Sequence, residues 1–347
     1  MECGNHIPLP CSVLAICVRP IALRQALVKL NENDRCQSGN SRKLNVFKNL
    51  MVYRLATPWT VTQAQLEAAL QQAHFVECGA SQEKSVGWTE PRGQAHGACV
   101  EVVAGQWIMK WTLETKTVPG SVVKRKVQEE VAKIEAMTGR KPGKKEIRTL
   151  GDDARLALLP MAFTKQASVT LWLDPQAQLL ALDAGSQAMA DEVLTSLVKA
   201  VDGLALGLVN TQTAPATAMA QWLAFQEAPA GFSVDRECEL KAADESKAVV
   251  RYTRHALDTD EVVQHIANGK VPSRLALTWN DRVSFVLTDS LQLKKVAFLD
   301  VVADEAPVAA GDRSDDHFDA DVAIATGELS RLLPDLLGAL GGEMVLG

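Results

Sequence analysis

The sequence predicts an α+β fold in which antiparallel sheets pack against helices, and three observations carry that prediction. Short apolar runs of strand length recur around turn residues, as in Cys99–Ala104 and Trp107–Val118 about Gly105-Gln106. A helix-period segment, 119–165, interrupts them with breakers at Gly139 and Pro142-Gly143. The C-terminal third alternates apolar and polar residues around the two-residue link Asn280-Asp281, which fits a tight hairpin. The chain has 347 residues, 47% hydrophobic and 22% charged, an ordinary balance for a globular protein with room for roughly two domains.

Residues 1–45 are expected to be an extension, either disordered or an artefact of an upstream start. Ile7–Val18 is apolar, but Arg19-Pro20 ends it short of a membrane span, and Met1-Glu2 lacks the basic opening of a secretory signal. Asn31–Lys43 is polar and reads as loop. Strand-like patterning starts abruptly at Val46, so a start at Val46, read from a GTG codon, is expected. Four of the seven cysteines fall in this extension. No C-x-x-C pair occurs, and Cys78, Cys99 and Cys238 read as reduced thiols in a cytosolic compartment.

Val46–Leu55 reads as a buried first strand. Thr60-x-x-Gln63 is expected to be a capping box, ahead of Ala64, Leu66, Ala69 and Leu70 at helical spacing. Pro119 suits the first turn of a helix carrying Val122, Val123, Val127, Val131 and Ile134, and a second helix runs from about Lys144 to Leu159. Together they form a protruding αα-hairpin with basic outer faces. Val169–Asp174 and Leu179–Asp183 make a hairpin around Pro175, and Ala188–Val201 an amphipathic helix. Residues 46–118 and 166–213 are thus one α+β unit, 119–165 the inserted hairpin, and 214–347 a C-terminal α+β unit entered through Ala214–Ala230 with its prolines.

In the C-terminal unit, strands are expected over Ala248–Ala256, Val271–Trp279, Arg282–Thr288 and Leu291–Leu299, with a helix over Thr259–Asn268. Leu275, Leu277 and Trp279 share one face with Val283, Phe285 and Leu287. The other face carries Arg274, Ala276 and Thr278, with Arg282, Ser284 and Thr288 beside them. This second face is either an ordinary solvent face or a platform for a sugar-phosphate backbone.

Charge is unevenly placed. Lys116–Lys165 holds twelve Lys and Arg against six Asp and Glu, locally +6 in a chain of net charge −6. Such a segment either keeps an exposed hairpin soluble or meets a phosphate-bearing partner. The turn Gly139–Lys145 is not a nucleotide loop. It is one residue short between glycines, places Lys145 where Ser or Thr must hold magnesium, and joins two helices. Asp315–Asp321, with His317, has metal-compatible donors but lacks the glycine and terminal Glu of a calcium loop, and reads as an acidic helix cap. No H-E-x-x-H or G-x-S-x-G pattern occurs. No catalytic residue, metal or cofactor is expected, and the chain is not expected to be an enzyme.

Phe47-Lys-Asn-Leu-Met-Val-Tyr-Arg-Leu55, Gly87-Trp88, Leu158-Leu-Pro-x-Ala-Phe163, Trp172-Leu-Asp174, Phe318-Asp-Ala-Asp321 and Thr326-Gly-Glu-Leu329 resemble, in order and spacing, the bacterial recombination-associated protein RdgC family. The likeness runs from about Val46 to near the C-terminus and leaves residues 1–45 without a counterpart. It implies a ring-shaped homodimer that passes DNA, single- or double-stranded, through its hole without sequence specificity. It further implies a cytoplasmic, nucleoid-associated protein that limits RecA-dependent recombination by competing for DNA, with no membrane partner. By position, Phe163 matches an aromatic residue at the interface closing the ring, and Arg254 and Lys270 match basic positions facing the hole. Arg251, His255 and Arg274 join them from the strand pattern. Met161 departs from relatives carrying Arg there, which removes the ground for a basic contact beside Phe163. Two rivals stay open: a metal-dependent DNA-processing enzyme using Asp315–Asp321, and a module that binds the recombinase directly through the basic hairpin.

Overall fold

A computed structural model describes residues 44, 46–56, 58–304 and 314–344. The expectations for residues 1–45, Leu44 apart, lie outside the described residues, as do the side chains of Asp315 and Asp316.

One sheet has seven strands: β1 (Met51–Leu55), β2 (Lys84–Thr89), β3 (Val100–Val103), β4 (Gln106–Lys116), β5 (Thr164–Asp174), β6 (Leu179–Leu182) and β7 (Leu206–Leu208). Their order is β2-β4-β5-β6-β1-β7, with β3 beside β2 on the same edge of β4, and each pairing is antiparallel. The first strand is shorter than expected and begins at Met51. Phe47 and Leu50 are instead drawn into a core shared with a second sheet.

Helix α1 (Gln63–Gln72) is capped two residues later than expected. Thr62 Oγ1 accepts from Gln65 N at 3.3 Å while Gln65 Oε1 accepts from Thr62 N at 2.9 Å. This Thr-x-x-Gln frame starts the helix so that Leu66 and Leu70 are fully buried. The chain leaving α1 then runs against β2, a strand not foreseen from sequence: Phe75 N donates to Trp88 O at 2.9 Å and Trp88 N to Ala73 O at 3.0 Å. Gly87 permits this approach, because a Cβ there would lie 2.4 Å from Phe75 Cα.

The helical hairpin is α2 (Gly120–Thr138) and α3 (Lys144–Leu158), with Gly139 closing α2 in the left-handed conformation. The two helices pack on one another, yet α2 buries no residue and α3 buries only Ala154. Helix α4 (Gln187–Ala200), capped by Ser186, buries Ala190, Val193 and Leu197 with α1 against one face of the seven-stranded sheet. Helix α5 (Pro215–Phe225) occupies the stretch read from sequence as a connection. Pro215 sits in its first turn, and Ala218, Met219, Trp222 and Leu223 are buried.

The second sheet contains β8 (Phe232–Ala242), β9 (Val249–Thr253), β10 (Lys270–Trp279), β11 (Val283–Thr288) and β12 (Leu293–Phe298), in the order β12-β11-β10-β8-β9. Helix α6 (Asp260–Ala267) joins β9 to β10, and Asn280 and Asp281, at φ 45° and 54°, form the β10–β11 turn. Leu50 and Leu293 exchange backbone hydrogen bonds of 2.7 and 3.0 Å, and Val296 N donates to Lys48 O at 2.8 Å. Residues 48–55 therefore serve β12 first and the seven-stranded sheet immediately after.

After the short α7 (Asp300–Asp304), the 26-residue α8 (Ser314–Ala339) fills the space between the sheets. Val322, Ala325, Leu329, Leu332 and Leu336 share one core with Ile108 and Trp172 of the first sheet and Leu275, Leu277 and Phe285 of the second. Polar contacts fix its register. Arg282 Nε and Nη2 each donate to a Glu328 carboxylate oxygen at 2.9 Å, and Trp279 Nε1 donates to Asp335 Oδ2 at 2.9 Å. No helix among the described residues is long and apolar enough to cross a membrane.

Candidate nucleic-acid interface

Strand register arranges the outer face of the second sheet. Arg251 lies opposite Glu239, Glu239 opposite Arg274, and Arg274 opposite Thr288, one row across four strands. The opposite face is the apolar one expected, with Leu275, Leu277, Trp279, Val283, Phe285 and Leu287 in the core. The outer face differs from the uniformly polar and basic surface expected. Ala276, Thr278, Val286 and Thr288 are buried on it, and Arg282 has left it for Glu328. Strand β8 adds Asp235, Glu237 and Glu239, so the face is mixed in sign.

The five basic residues expected to meet DNA fall into three places. Arg251 and Arg274 flank Glu239 on the outer face. Arg251 Nε donates to Glu239 Oε2 at 2.6 Å, while Arg274 is exposed and makes no ion pair among the described residues. Lys270 and His255 gather instead around Tyr252 and α6. Lys270 Nζ donates to His265 Nδ1 at 3.0 Å, and the Tyr252 ring lies 5.5 Å from that of His255 and 6.4 Å from that of His265. His255 Nδ1 donates to Ala256 O at 2.6 Å. Arg254 stands alone, exposed in the turn after β9 at φ 55°.

Electrostatics grades these groups. Burial by itself would raise the Glu239 carboxyl, but hydrogen bonds from Ser273, Arg251 and Lys241 outweigh it and hold the group at about 2. Glu239 is thus ionised and committed to its neighbours. Lys294 on β12 is lowered, first by burial and then by repulsion from Arg274, with Asp183 partly offsetting both. Asp183 is raised by burial, against the backbone N–H groups of Asn49 and Lys48 that it accepts at 2.7 and 3.2 Å.

At the end of the helical hairpin, Leu159 is fully buried while Met161 and Phe163 are 73% and 93% exposed. Leu156, on the same end of α3, is also exposed. An aromatic ring this open to water contributes almost nothing to the protomer and is available to a partner. Along the hairpin, Lys126, Lys133, Arg140, Lys141 and Arg155 pair with carboxylates, whereas Lys124, Arg125, Lys144, Lys145 and Arg148 make no ion pair among the described residues.

The sequence model of a family described as "Putative exonuclease, RdgC" matches residues 46–343. The chain belongs to the RdgC family. It is 45% identical to "Recombination-associated protein RdgC" of Dechloromonas aromatica (strain RCB), over 86% of this chain and 98% of that protein. Proteins of the same name from Herminiimonas arsenicoxydans and Janthinobacterium sp. (strain Marseille) are 44% and 43% identical, with the same coverage. The RdgC match begins at the residue where strand-like patterning starts in the sequence.

For this RdgC-family chain, no group of three or more His, Cys, Asp or Glu side chains among the described residues is placed to hold a metal. Of the acidic stretch read as a rival site, Asp319 accepts from Arg92 Nη2 at 2.6 Å, and the same guanidinium lies 4.8 Å from the Phe318 ring centroid. That arrangement clamps the start of α8 to the first sheet. Sequence reasoning missed Glu237, Glu239, Lys294 and Lys295. A signal was present in β8, where Cys238 and Leu240 alternate with Glu237, Glu239 and Lys241, but acidic residues are poor strand formers and hid it.

Proposed function

We propose that this chain is a non-sequence-specific DNA-binding protein that works as a ring-shaped homodimer and limits RecA-dependent recombination by competing for DNA. The observation that carries this reading is the pair Arg254 and Arg274. Both side chains are exposed and neither is neutralised by a carboxylate among the described residues. Guanidinium groups in that state gain from meeting phosphates, because each phosphate neutralised releases counterions. Contacts of this kind read no base edges, so all sequences bind alike. Membership in a family whose relatives are named recombination-associated supports the biological setting. Exposed Phe163 supplies a self-complementary contact for closing a two-fold ring.

The test is topological. Protein loaded at low salt on closed-circular and on linear DNA of one sequence is challenged with high salt. A closed ring stays on the circle and slides from linear ends; equal release from both overturns the ring.

The family description favours one second reading, an exonuclease. Incubation of plasmid and linear duplex with magnesium or manganese separates the two, since a binder leaves both intact. Direct action on the recombinase predicts inhibition of strand exchange that persists at saturating DNA, whereas competition predicts that saturation abolishes it.

A further inference from the structure

The outer face of the second sheet holds five cations on neighbouring strands, and the carboxylates divide them into two sets. Glu239 takes Arg251 at 2.6 Å and Lys241 at 3.3 Å, and accepts from Ser273 Oγ at 2.8 Å. Glu237 takes Lys295 Nζ on both oxygens, at 2.6 and 2.9 Å. Arg251, Lys241 and Lys295 therefore each have a carboxylate partner, with Arg251 and Lys241 sharing that of Glu239. Arg274 and Lys294 have none: neither forms an ion pair among the described residues, and the Arg274 side chain makes no hydrogen bond there.

Register places these two on the same face. Arg274 lies opposite Thr288, and Lys294 opposite Val286, two residues along β11. With strands about 4.8 Å apart and about 3.3 Å per residue, two such long side chains converge readily on a ligand between them. Lys294 Nζ donates to Gly185 O at 3.1 Å and Ala184 O at 3.4 Å, which holds the ammonium in place. An ammonium has three donors, so one remains, and the Arg274 fork has all five. Lys294 is lowered first by burial and then by repulsion from Arg274, and an anion between the two relieves that repulsion.

We propose that Arg274 and Lys294 form a built binding pair for the phosphodiester backbone of a nucleic acid, and that Glu237 and Glu239 restrain affinity by neutralising the cations beside it. The proposal rests on the DNA-binding reading and assigns it a place. A phosphate arriving at Arg251 meets the Glu239 charge, and one at Lys295 meets Glu237. Arg274 has Glu239 opposite it and Lys294 lies in the field of Asp183, but neither cation is ion-paired with these carboxylates, so a phosphate there displaces none. The carboxylates keep the face from binding duplex too tightly to move along it.

Duplex DNA of two unrelated sequences is titrated with the full chain at several salt concentrations, with melting curves confirming that each variant is folded. For R274Q/K294Q the expected result is a loss of about ten- to a hundredfold in affinity and, with the pair present twice in a two-fold ring, a log–log salt slope shallower by about two to four. For E239Q it is binding several-fold tighter with a steeper slope, a gain lost again in E239Q/R251Q. Because Glu239 is buried, E237Q provides a second arm: Glu237 is 40% exposed, and its loss frees Lys295 for a smaller gain of the same sign. Wild-type protein that fails to bind duplex overturns the DNA-binding reading itself. Wild-type binding left unchanged by R274Q/K294Q overturns the pair alone. Folded E237Q and E239Q that bind no more tightly than wild type overturn the restraint.

Discussion

Replacing Phe163 by Ala separates interface energy from folding energy, because the ring is 93% exposed in the protomer. Truncating it removes no core contact, and the protomer should unfold within about 0.5 kcal/mol of wild type. In a two-fold assembly the same residue is buried twice. Fully burying one phenylalanine side chain contributes about 1.5–3 kcal/mol, so two copies contribute about 3–6 kcal/mol. Every 1.4 kcal/mol is tenfold, so the subunits should associate about 10²- to 10⁴-fold more weakly, or the ring should open at that contact. Leu159, four residues earlier and fully buried, provides the converse. Leu159→Ala should cost the protomer about 2–5 kcal/mol. Sedimentation across a concentration series reads assembly, and urea unfolding reads the protomer. A Phe163→Ala dimer of undiminished stability refutes the assignment of Phe163 to the ring-closing contact, and a Phe163→Ala protomer that unfolds early refutes the premise that the side chain is free.

Gly87→Ala should destabilise by about 1–3 kcal/mol in urea, because its Cβ would lie 2.4–2.8 Å from the backbone of Phe75 and His74. Arg254→Ala with Lys270→Ala should weaken binding to all DNA sequences similarly and flatten its salt dependence; unchanged affinity removes those positions from the interface. The Glu239 carboxyl, held at about 2, lies below its unfolded value, so its contribution is complete above about pH 4.5 and disappears as pH falls towards 2. Wild type should therefore exceed Glu239→Gln in stability by about 2 kcal/mol at neutral pH, and the gap should close on acidification. A gap that widens in acid contradicts the assignment.

Local chemistry was legible in the sequence, and long-range pairing was not. Gly139 at a left-handed helix end, Pro142-Gly143 between α2 and α3, and Asn280-Asp281 at positive φ are dictated by backbone sterics a few residues wide, and all three stand where expected. The apolar faces of β10 and β11 were equally readable, since alternation reports burial directly. What escaped depends on partners far along the chain. Lys48–Leu50 leaves the first sheet because β12 is waiting for it. The capping frame falls at Thr62, and Gln63, the partner expected for Thr60, instead donates through Nε2 to Val100 O at 3.2 Å, 37 residues away. The outer face of the second sheet looked basic because β8, which supplies its carboxylates, was unrecognised. Register places Arg251 and Arg274 on either side of Glu239, and only the side-chain contacts show that Glu239 goes to Arg251 and Lys241, leaving Arg274 open, while Lys270 turns to His265.

The central claim, binding to the nucleic-acid backbone through unneutralised cations, is tested most directly by affinity against salt. The full chain, at its native mass, is titrated with two duplexes of unrelated sequence from low to physiological salt and above. The account predicts superimposable lines falling steeply on a log–log plot, with a slope of about −0.9 for each phosphate neutralised. Lines that separate by sequence, or an affinity indifferent to salt, contradict it.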